Sequence, residues 1–112
     1  APPRKRLPVV VMFHGGYWKP GYDRHLMDRI AKDLVSSMPV AVLNVDYRVK
    51  GGYPGPFLDA AAALDVVVDE RVGQYGLNSE QVVVVGHSAG GTLAYWAAMR
   101  GLLPSDAPGA MA

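Results

Sequence analysis

Residues 81–100 read QVVVVGHSAGGTLAYWAAMR and place a serine between two glycines, where a strand pattern gives way to a helical one. Residues 82–85 are four valines, which is typical of a strand buried on both faces of a parallel sheet, and residues 92–99 suit a helix. The turn at 86–90 has the form G-x-S-x-G, which holds its serine in a strained backbone conformation with the hydroxyl exposed above the sheet. Because a strand and a helix flank the turn, we interpret Ser88 as a candidate nucleophile rather than as part of an ordinary loop.

Composition limits the classes of protein to which the chain can belong. It has 112 residues, of which 50% are hydrophobic and 19% charged, so one ordered domain is expected. The formal charge of +1 indicates no nucleic-acid partner, and the absence of cysteine excludes disulfides, thiolate metal sites and cysteine nucleophiles. No apolar run approaches the ~18 residues of a membrane span, so no membrane partner is expected. We predict a cytoplasmic location, although a chain without an initiator methionine leaves open a signal peptide upstream.

Strand and helix patterns alternate along the whole chain. Strands are predicted at residues 7–13, 40–45 and 82–85, and helices at 24–35, 57–72 and 92–99. Asp23 is the expected cap of the first helix, whose apolar face of Leu26, Ile30 and Leu34 is expected to cover the sheet, and Gly73 and Gly76 are expected to stop the second helix. This alternation predicts an α/β fold with three layers, α/β/α, around a parallel sheet.

Right-handed crossovers leave two simple strand orders, 1-2-3 and 2-1-3. Only the second order places the loop after the first strand beside Ser88, at the switch point where α/β proteins bind ligands, and we predict that order. The loop reads HGGYW at residues 14–18. Its two glycines would let backbone N–H groups face a small ligand such as an oxyanion, with the N–H of Ala89 as a further donor.

These motifs together resemble those of the α/β-hydrolase superfamily, in the esterase and lipase branch that has an HGG-type oxyanion loop. Within that branch, HGGYW at 14–18, YDR at 22–24, DYR at 46–48 and GHSAGG at 86–91 with Leu93-Ala94 are similar to kynurenine formamidase (arylformamidase) and related bacterial hydrolases. The resemblance implies a three-stranded part of the hydrolase fold in which residues 1–112 are the N-terminal portion of a single domain.

The same resemblance implies roles for particular residues. Ser88 is expected to be the nucleophile, and the backbone N–H groups of Gly16, Tyr17 and Ala89 are expected to form the oxyanion hole. The side chains of Tyr17 and Trp18 are candidates to line a substrate pocket, and an equally good interpretation is that the two aromatics shield the loop from water. The motif at 46–48 is expected to be mainly structural. The substrate would be a small-molecule ester or amide, cleaved through an acyl-enzyme without a metal or other cofactor.

The three histidines and the acidic residues at 65–70 are not expected to take part directly in the reaction. His14 is expected to orient its loop by hydrogen bonding, the His87 side chain to point away from the site, and His25 to lie at the surface. Asp65, Asp69 and Glu70 are predicted to be a solvated helix face rather than metal ligands.

The triad of this fold runs in the chain order Ser, then Asp or Glu, then His, and no histidine follows Ser88. We therefore expect the 112 residues alone to be almost inactive, since an unactivated serine is a weak nucleophile. Two functions remain open. One is a serine hydrolase acting on a carboxylic ester or an aryl formamide, and the other is a catalytically inactive binding or scaffold domain of the same fold. The sequence leaves the substrate and the oligomeric state undetermined.

Overall fold

A computed structural model describes residues 6–16 and 21–111. Its regular elements follow the alternation predicted from the sequence, and three short 3-10 helices accompany them. In chain order they are β1 (Leu7–Phe13), a 3-10 helix (Arg24–Met27), α1 (Asp28–Ser37), β2 (Ala41–Val45), α2 (Gly55–Val67), a 3-10 helix (Glu70–Tyr75), β3 (Leu77–Gly86), α3 (Ala89–Ala98) and a 3-10 helix (Arg100–Leu102). Among these described elements, no helix has the length and apolar character needed to cross a membrane.

The three strands form one parallel sheet in the order β2-β1-β3, which confirms the predicted 2-1-3 arrangement. Phe13 at the end of β1 pairs with Val45 of β2 on one side and with Gly86 of β3 on the other. The carboxyl ends of all three strands therefore lie level with one another. As a result, the glycine loop after β1 and the serine turn after β3 share one edge of the sheet.

Alternation along the strands separates two layers of helices. Val9, Val11 and Phe13 of β1 point into one core with α2 and α3, because successive strand residues face opposite sides. On the other side, the Asn44 amide of β2 donates to the Arg24 carbonyl (2.9 Å) and to the Asp28 carboxylate (3.2 Å) at the start of α1. The predicted three-layer α/β/α architecture is thereby confirmed. The main core contains Val9, Val11, Phe13, Val45, Tyr47, Ala60, Leu64, Val67, Leu93, Ala94 and Ala97.

The first helix departs from its prediction in where its apolar face lies. Asp23 caps it as expected, accepting the His25 N–H at 3.0 Å, but the first turn is a 3-10 turn and the helix continues to Ser37. Leu26 and Ile30 are 54% and 49% exposed, so the expectation that they cover the sheet is wrong. The reason is that α1 packs mainly on β2, which is an edge strand of this sheet.

The valine strand also differs from its prediction. It is longer than residues 82–85, and it contains a register shift, because Leu7 pairs with Leu77 whereas Val9 pairs with Val82. Val82 and Val84 pack on the main core, but Val83 points to the opposite face and is 55% exposed. The expectation of burial on both faces is therefore wrong for Val83, since α1 packs on β2, at the edge of the sheet opposite to β3.

The second helix ends earlier than the residues 57–72 predicted for it. It ends at Val67, after which Asp69 adopts an extended conformation and its carboxylate accepts the Arg71 N–H at 2.9 Å. Such a local side-chain bond starts a new turn in place of continuing the helix. Gly73 lies inside this 3-10 turn, and Gly76, with a φ of 80°, ends it in the left-handed conformation.

Candidate active site

Ser88 stands at the corner between β3 and α3 with φ 56° and ψ −117°. It is the only non-glycine residue of positive φ in the described ranges, and its side chain is exposed and makes no capping hydrogen bond. The unusual backbone conformation predicted for Ser88 is thus confirmed. A non-glycine residue held in such a conformation costs about 1 to 3 kcal/mol, so surrounding contacts must impose it. The strain supports a functional hypothesis for Ser88, whose role as nucleophile stays a prediction.

Two glycines of the turn allow the contacts that impose this strain. A Cβ on Gly86 would lie 2.1 Å from the Gly90 carbonyl oxygen, and a Cβ on Gly90 would lie 2.0 Å from the Phe13 carbonyl oxygen. Neither distance is possible between real atoms, so both positions require glycine. The start of α3 consequently lies directly against the end of β1.

A matched pair of glycines in α3 tests this packing. We expect Gly90→Ala to destabilise the full-length protein by about 3 kcal/mol or more, because the added methyl group meets rigid backbone. Gly91→Ala is the control, since its Cβ would be 3.5 Å from the nearest atom, in ordinary contact, and alanine favours a helix over glycine by about 1 kcal/mol. Urea or thermal unfolding of the two variants would measure the difference, and equal stabilities would contradict this account of the turn.

The loop after β1 touches the serine turn. A Cβ on Gly15 would lie 2.8 Å from His87 Nδ1 and 3.2 Å from Ser88 Cβ, and the His87 N–H donates to the Phe13 carbonyl at 3.2 Å. The predicted juxtaposition of the glycine loop and Ser88 is therefore present. Gly16 has a φ of 140°, and a Cβ there would lie 2.4 Å from Tyr22 Cβ, so glycine is needed at this position as well.

Two backbone N–H groups near Ser88 are candidate donors to a ligand. Within the described ranges, neither the N–H of Gly16 nor the N–H of Ala89 has a hydrogen-bond acceptor. Ala89 is also the first residue of α3, and the N-terminus of a helix favours negative charge. Tyr17 and Trp18 lie outside the described residues, so their assignments as oxyanion donor and pocket residues stay predictions.

His14 is buried at the base of the glycine loop, with 1% of its surface exposed. Its Nδ1 lies 2.7 Å from the Gly15 carbonyl oxygen, and because that oxygen can only accept, Nδ1 is the nitrogen that carries the proton. The ring stacks on Tyr47 with centroids 4.2 Å apart and planes inclined at 12°. These contacts fit the predicted role of orienting the loop.

The other two histidines differ in how well they match expectation. His25 is exposed, and its hydrogen bond and ion pair with Asp28 (2.8 Å) raise its pKa, in agreement with a surface position. The His87 side chain lies against Gly15 instead of pointing away, so that expectation is wrong. The turn of the chain at Ser88 brings the neighbouring side chain onto the loop after β1.

The motif at residues 46–48 makes a contact that the sequence interpretation missed. The Asp46 carboxylate accepts the Arg24 backbone N–H at 2.8 Å and forms an ion pair with the Arg24 guanidinium. Burial of the carboxylate opposes its ionisation, but these two interactions keep the Asp46 pKa below its usual value. Tyr47 is buried and its hydroxyl donates to the His14 carbonyl. The sequence feature that indicates this contact is the position of Tyr47 just after β2, at the same sheet edge as the glycine loop.

The described residues contain no group of three or more histidine, aspartate or glutamate side chains that could hold a metal ion. Asp69, one of the carboxylates interpreted as a solvated helix face, pairs with Arg71 at 2.7 Å, and this hydrogen bond lowers its pKa to about 2. The site thus consists of one exposed serine hydroxyl and nearby backbone donors. Such an arrangement can attack a carbonyl carbon and stabilise the negative charge that develops on its oxygen.

A sheet of order 2-1-3, a strained serine turn and an adjoining glycine loop define the class of α/β hydrolases. Comparison with protein families agrees, since residues 10–103 match the model of a family described as having the alpha/beta hydrolase fold. The chain belongs to this family.

The relatives that it resembles include esterases. Carboxylesterase NlhH of Mycobacterium tuberculosis is 38% identical over 93 residues, which cover 80% of this chain and 28% of that protein. Among solved structures, an esterase from Pyrobaculum calidifontis is 33% identical with a TM-score of 0.76, covering 85% of this chain and 31% of the other. A bacterial heroin esterase is 30% identical with a TM-score of 0.78, covering 86% and 30%. This chain therefore spans less than a third of the length of each of the three.

These relatives support the esterase and lipase branch that was inferred from the motifs. The narrower likeness to arylformamidases has no support from the three proteins named, all of which are described as esterases. A preference for formamides over esters accordingly stays a prediction.

Proposed function

We propose that the full-length protein is a serine hydrolase that cleaves small carboxylic esters through an acyl-enzyme. One observation carries the proposal: the exposed hydroxyl of Ser88 stands at a strained turn beside two backbone N–H groups that lack acceptors within the described ranges. The esterases to which the chain is similar support the choice of esters.

The reaction follows from this arrangement. Ser88 Oγ would attack the ester carbonyl carbon while its proton passes to a base, which in this fold is a histidine later in the chain than the serine. The carbonyl oxygen becomes an oxyanion, which the N–H groups of Gly16 and Ala89, together with the predicted donor Tyr17, would hold. Collapse of the tetrahedral intermediate breaks the C–O bond and releases the alcohol, which takes up the proton. Water then hydrolyses the acyl-serine by the same steps.

The inactive-domain alternative would need none of this geometry. A binding or scaffold domain gains nothing from a strained serine, because a relaxed turn would save about 1 to 3 kcal/mol. The retained φ of 56° at Ser88 and the glycines that enforce it therefore favour an active hydrolase.

Substrate class is tested by comparing an aryl ester with an aryl formamide. We expect the full-length protein to hydrolyse p-nitrophenyl acetate with a kcat/KM at least about tenfold above that for N-formylkynurenine, each followed by absorbance. A preference for the formamide would assign the protein to the arylformamidases instead. Absence of hydrolysis of both compounds, with no labelling of Ser88 by a fluorophosphonate, would favour the inactive domain.

A further inference from the structure

Tyr47 links the second strand to the glycine loop. It follows β2 by two residues, is 7% exposed, and donates its hydroxyl proton to the carbonyl oxygen of His14. Its ring stacks on the His14 imidazole and meets the Phe13 ring edge-on, with centroids 6.4 Å apart. Phe13 and His14, the two residues that precede the glycines, thus both contact the residue two positions after β2.

These contacts fix two successive peptide groups of the loop. The Tyr47 hydroxyl holds the carbonyl of His14, which belongs to the His14–Gly15 peptide, and the imidazole Nδ1 holds the carbonyl of Gly15, which belongs to the Gly15–Gly16 peptide. In a planar trans peptide the N–H points opposite to the carbonyl. Because the Gly15 carbonyl points at the buried imidazole, the N–H of Gly16 points away from it.

Glycines would not keep this orientation unaided. A Gly-Gly sequence has more accessible backbone conformations than any other pair, and a rotation of the Gly15–Gly16 peptide would turn the N–H of Gly16 inward. The buried side chains of His14 and Tyr47 therefore select one loop conformation out of many. Burial raises the pKa of Tyr47 to about 12, so the phenol keeps its proton at any ordinary working pH.

We propose that Tyr47 is a positioning residue for the oxyanion hole, which acts by holding the His14 carbonyl so that the Gly16 N–H stays directed at the developing negative charge. The proposal rests on the function proposed above. It predicts that the Tyr47 hydroxyl contributes to the chemical step although it does not touch the substrate.

The test uses Tyr47→Phe in the full-length protein, which keeps the ring and removes only the donor. Hydrolysis of p-nitrophenyl acetate is expected to lose about 10- to 100-fold in kcat, while KM stays within about twofold, because a misplaced oxyanion donor weakens transition-state binding alone. Tyr75→Phe is the matched control, since Tyr75 is 76% exposed and precedes β3 at the opposite sheet edge, and it should behave as the unaltered protein.

A second pair of variants separates the hydrogen bond from packing. Tyr47→4-aminophenylalanine restores a donor at the ring position of the hydroxyl and is expected to recover much of the kcat. Tyr47→4-methylphenylalanine has a similar shape without a donor and should stay as slow as Tyr47→Phe. This pair also carries the test if Tyr47→Phe fails to fold.

Three results would overturn the proposal: an unchanged kcat in Tyr47→Phe, a change confined to KM, or equal rates for the amino and methyl variants. Ser88→Ala, measured alongside, separates a failure of the role proposed for Tyr47 from a failure of the proposed hydrolase function. If Ser88→Ala is inactive but Tyr47→Phe has full activity, only the role of Tyr47 is wrong. If Ser88→Ala hydrolyses the ester at the normal rate, the proposed function and the role of Tyr47 are both wrong.

Discussion

Replacing Ser88 by alanine is expected to lower kcat/KM of the full-length protein for p-nitrophenyl acetate by about 10⁵-fold or more, as loss of a catalytic serine does in other hydrolases. The loss should reach this size because no covalent acyl intermediate can form without Oγ. Stability should change little, since the Ser88 side chain makes no capping hydrogen bond and is exposed. Ester kinetics and thermal unfolding of the variant together measure both expectations.

The control for this variant is Ser37→Ala. Ser37 is exposed at the end of α1, where its hydroxyl donates only to the Asp33 carbonyl of the preceding turn, so its removal should leave hydrolysis unchanged. A Ser88→Ala protein that kept more than about a tenth of the normal rate would show that another group is the nucleophile.

The fold could be predicted where local sequence decides the structure. The bounds of β1 and the cap at Asp23 follow from composition and capping chemistry, and the strand order follows from crossover handedness together with the need to bring two loops together. Burial could not be predicted equally well. The exposure of Val83, Leu26 and Ile30 depends on which elements cover each face. Hydrophobic periodicity shows which residues share a face, but it does not show which element packs against that face.

In the candidate site, too, some features could be predicted from the sequence and others could not. Ser88 and the glycines around it were predictable because a strained turn requires particular residue types at fixed spacing. The contact between Tyr47 and His14 depends on the register that pairs Phe13 with Val45, which brings the residues after two separate strands to the same level. No motif encodes that register, and the mainly structural role that the resemblance implies for residues 46–48 does not specify this contact.

Substituting valine for Gly16 is expected to lower kcat by about 10²- to 10³-fold in the full-length protein, the effect of losing one oxyanion-hole donor. A Cβ at Gly16 would lie 2.4 Å from Tyr22 Cβ, and a φ of 140° is a conformation that valine strongly disfavours. The loop must therefore shift, and its N–H groups move away from the carbonyl oxygen of the substrate.

The control for that substitution is Gly51→Val, which imposes comparable backbone strain elsewhere. Gly51 has a φ of 91°, nothing lies within 4 Å of its Cβ position, and it belongs to the loop after β2. Its replacement should lower the unfolding temperature while leaving kcat unchanged, because no atom lies within 4 Å of the new Cβ to transmit the strain to the donors. If Gly16→Val raised only KM and left kcat unaltered, the loop would bind the ground state and the transition state equally, and its backbone N–H groups would not stabilise the transition state selectively.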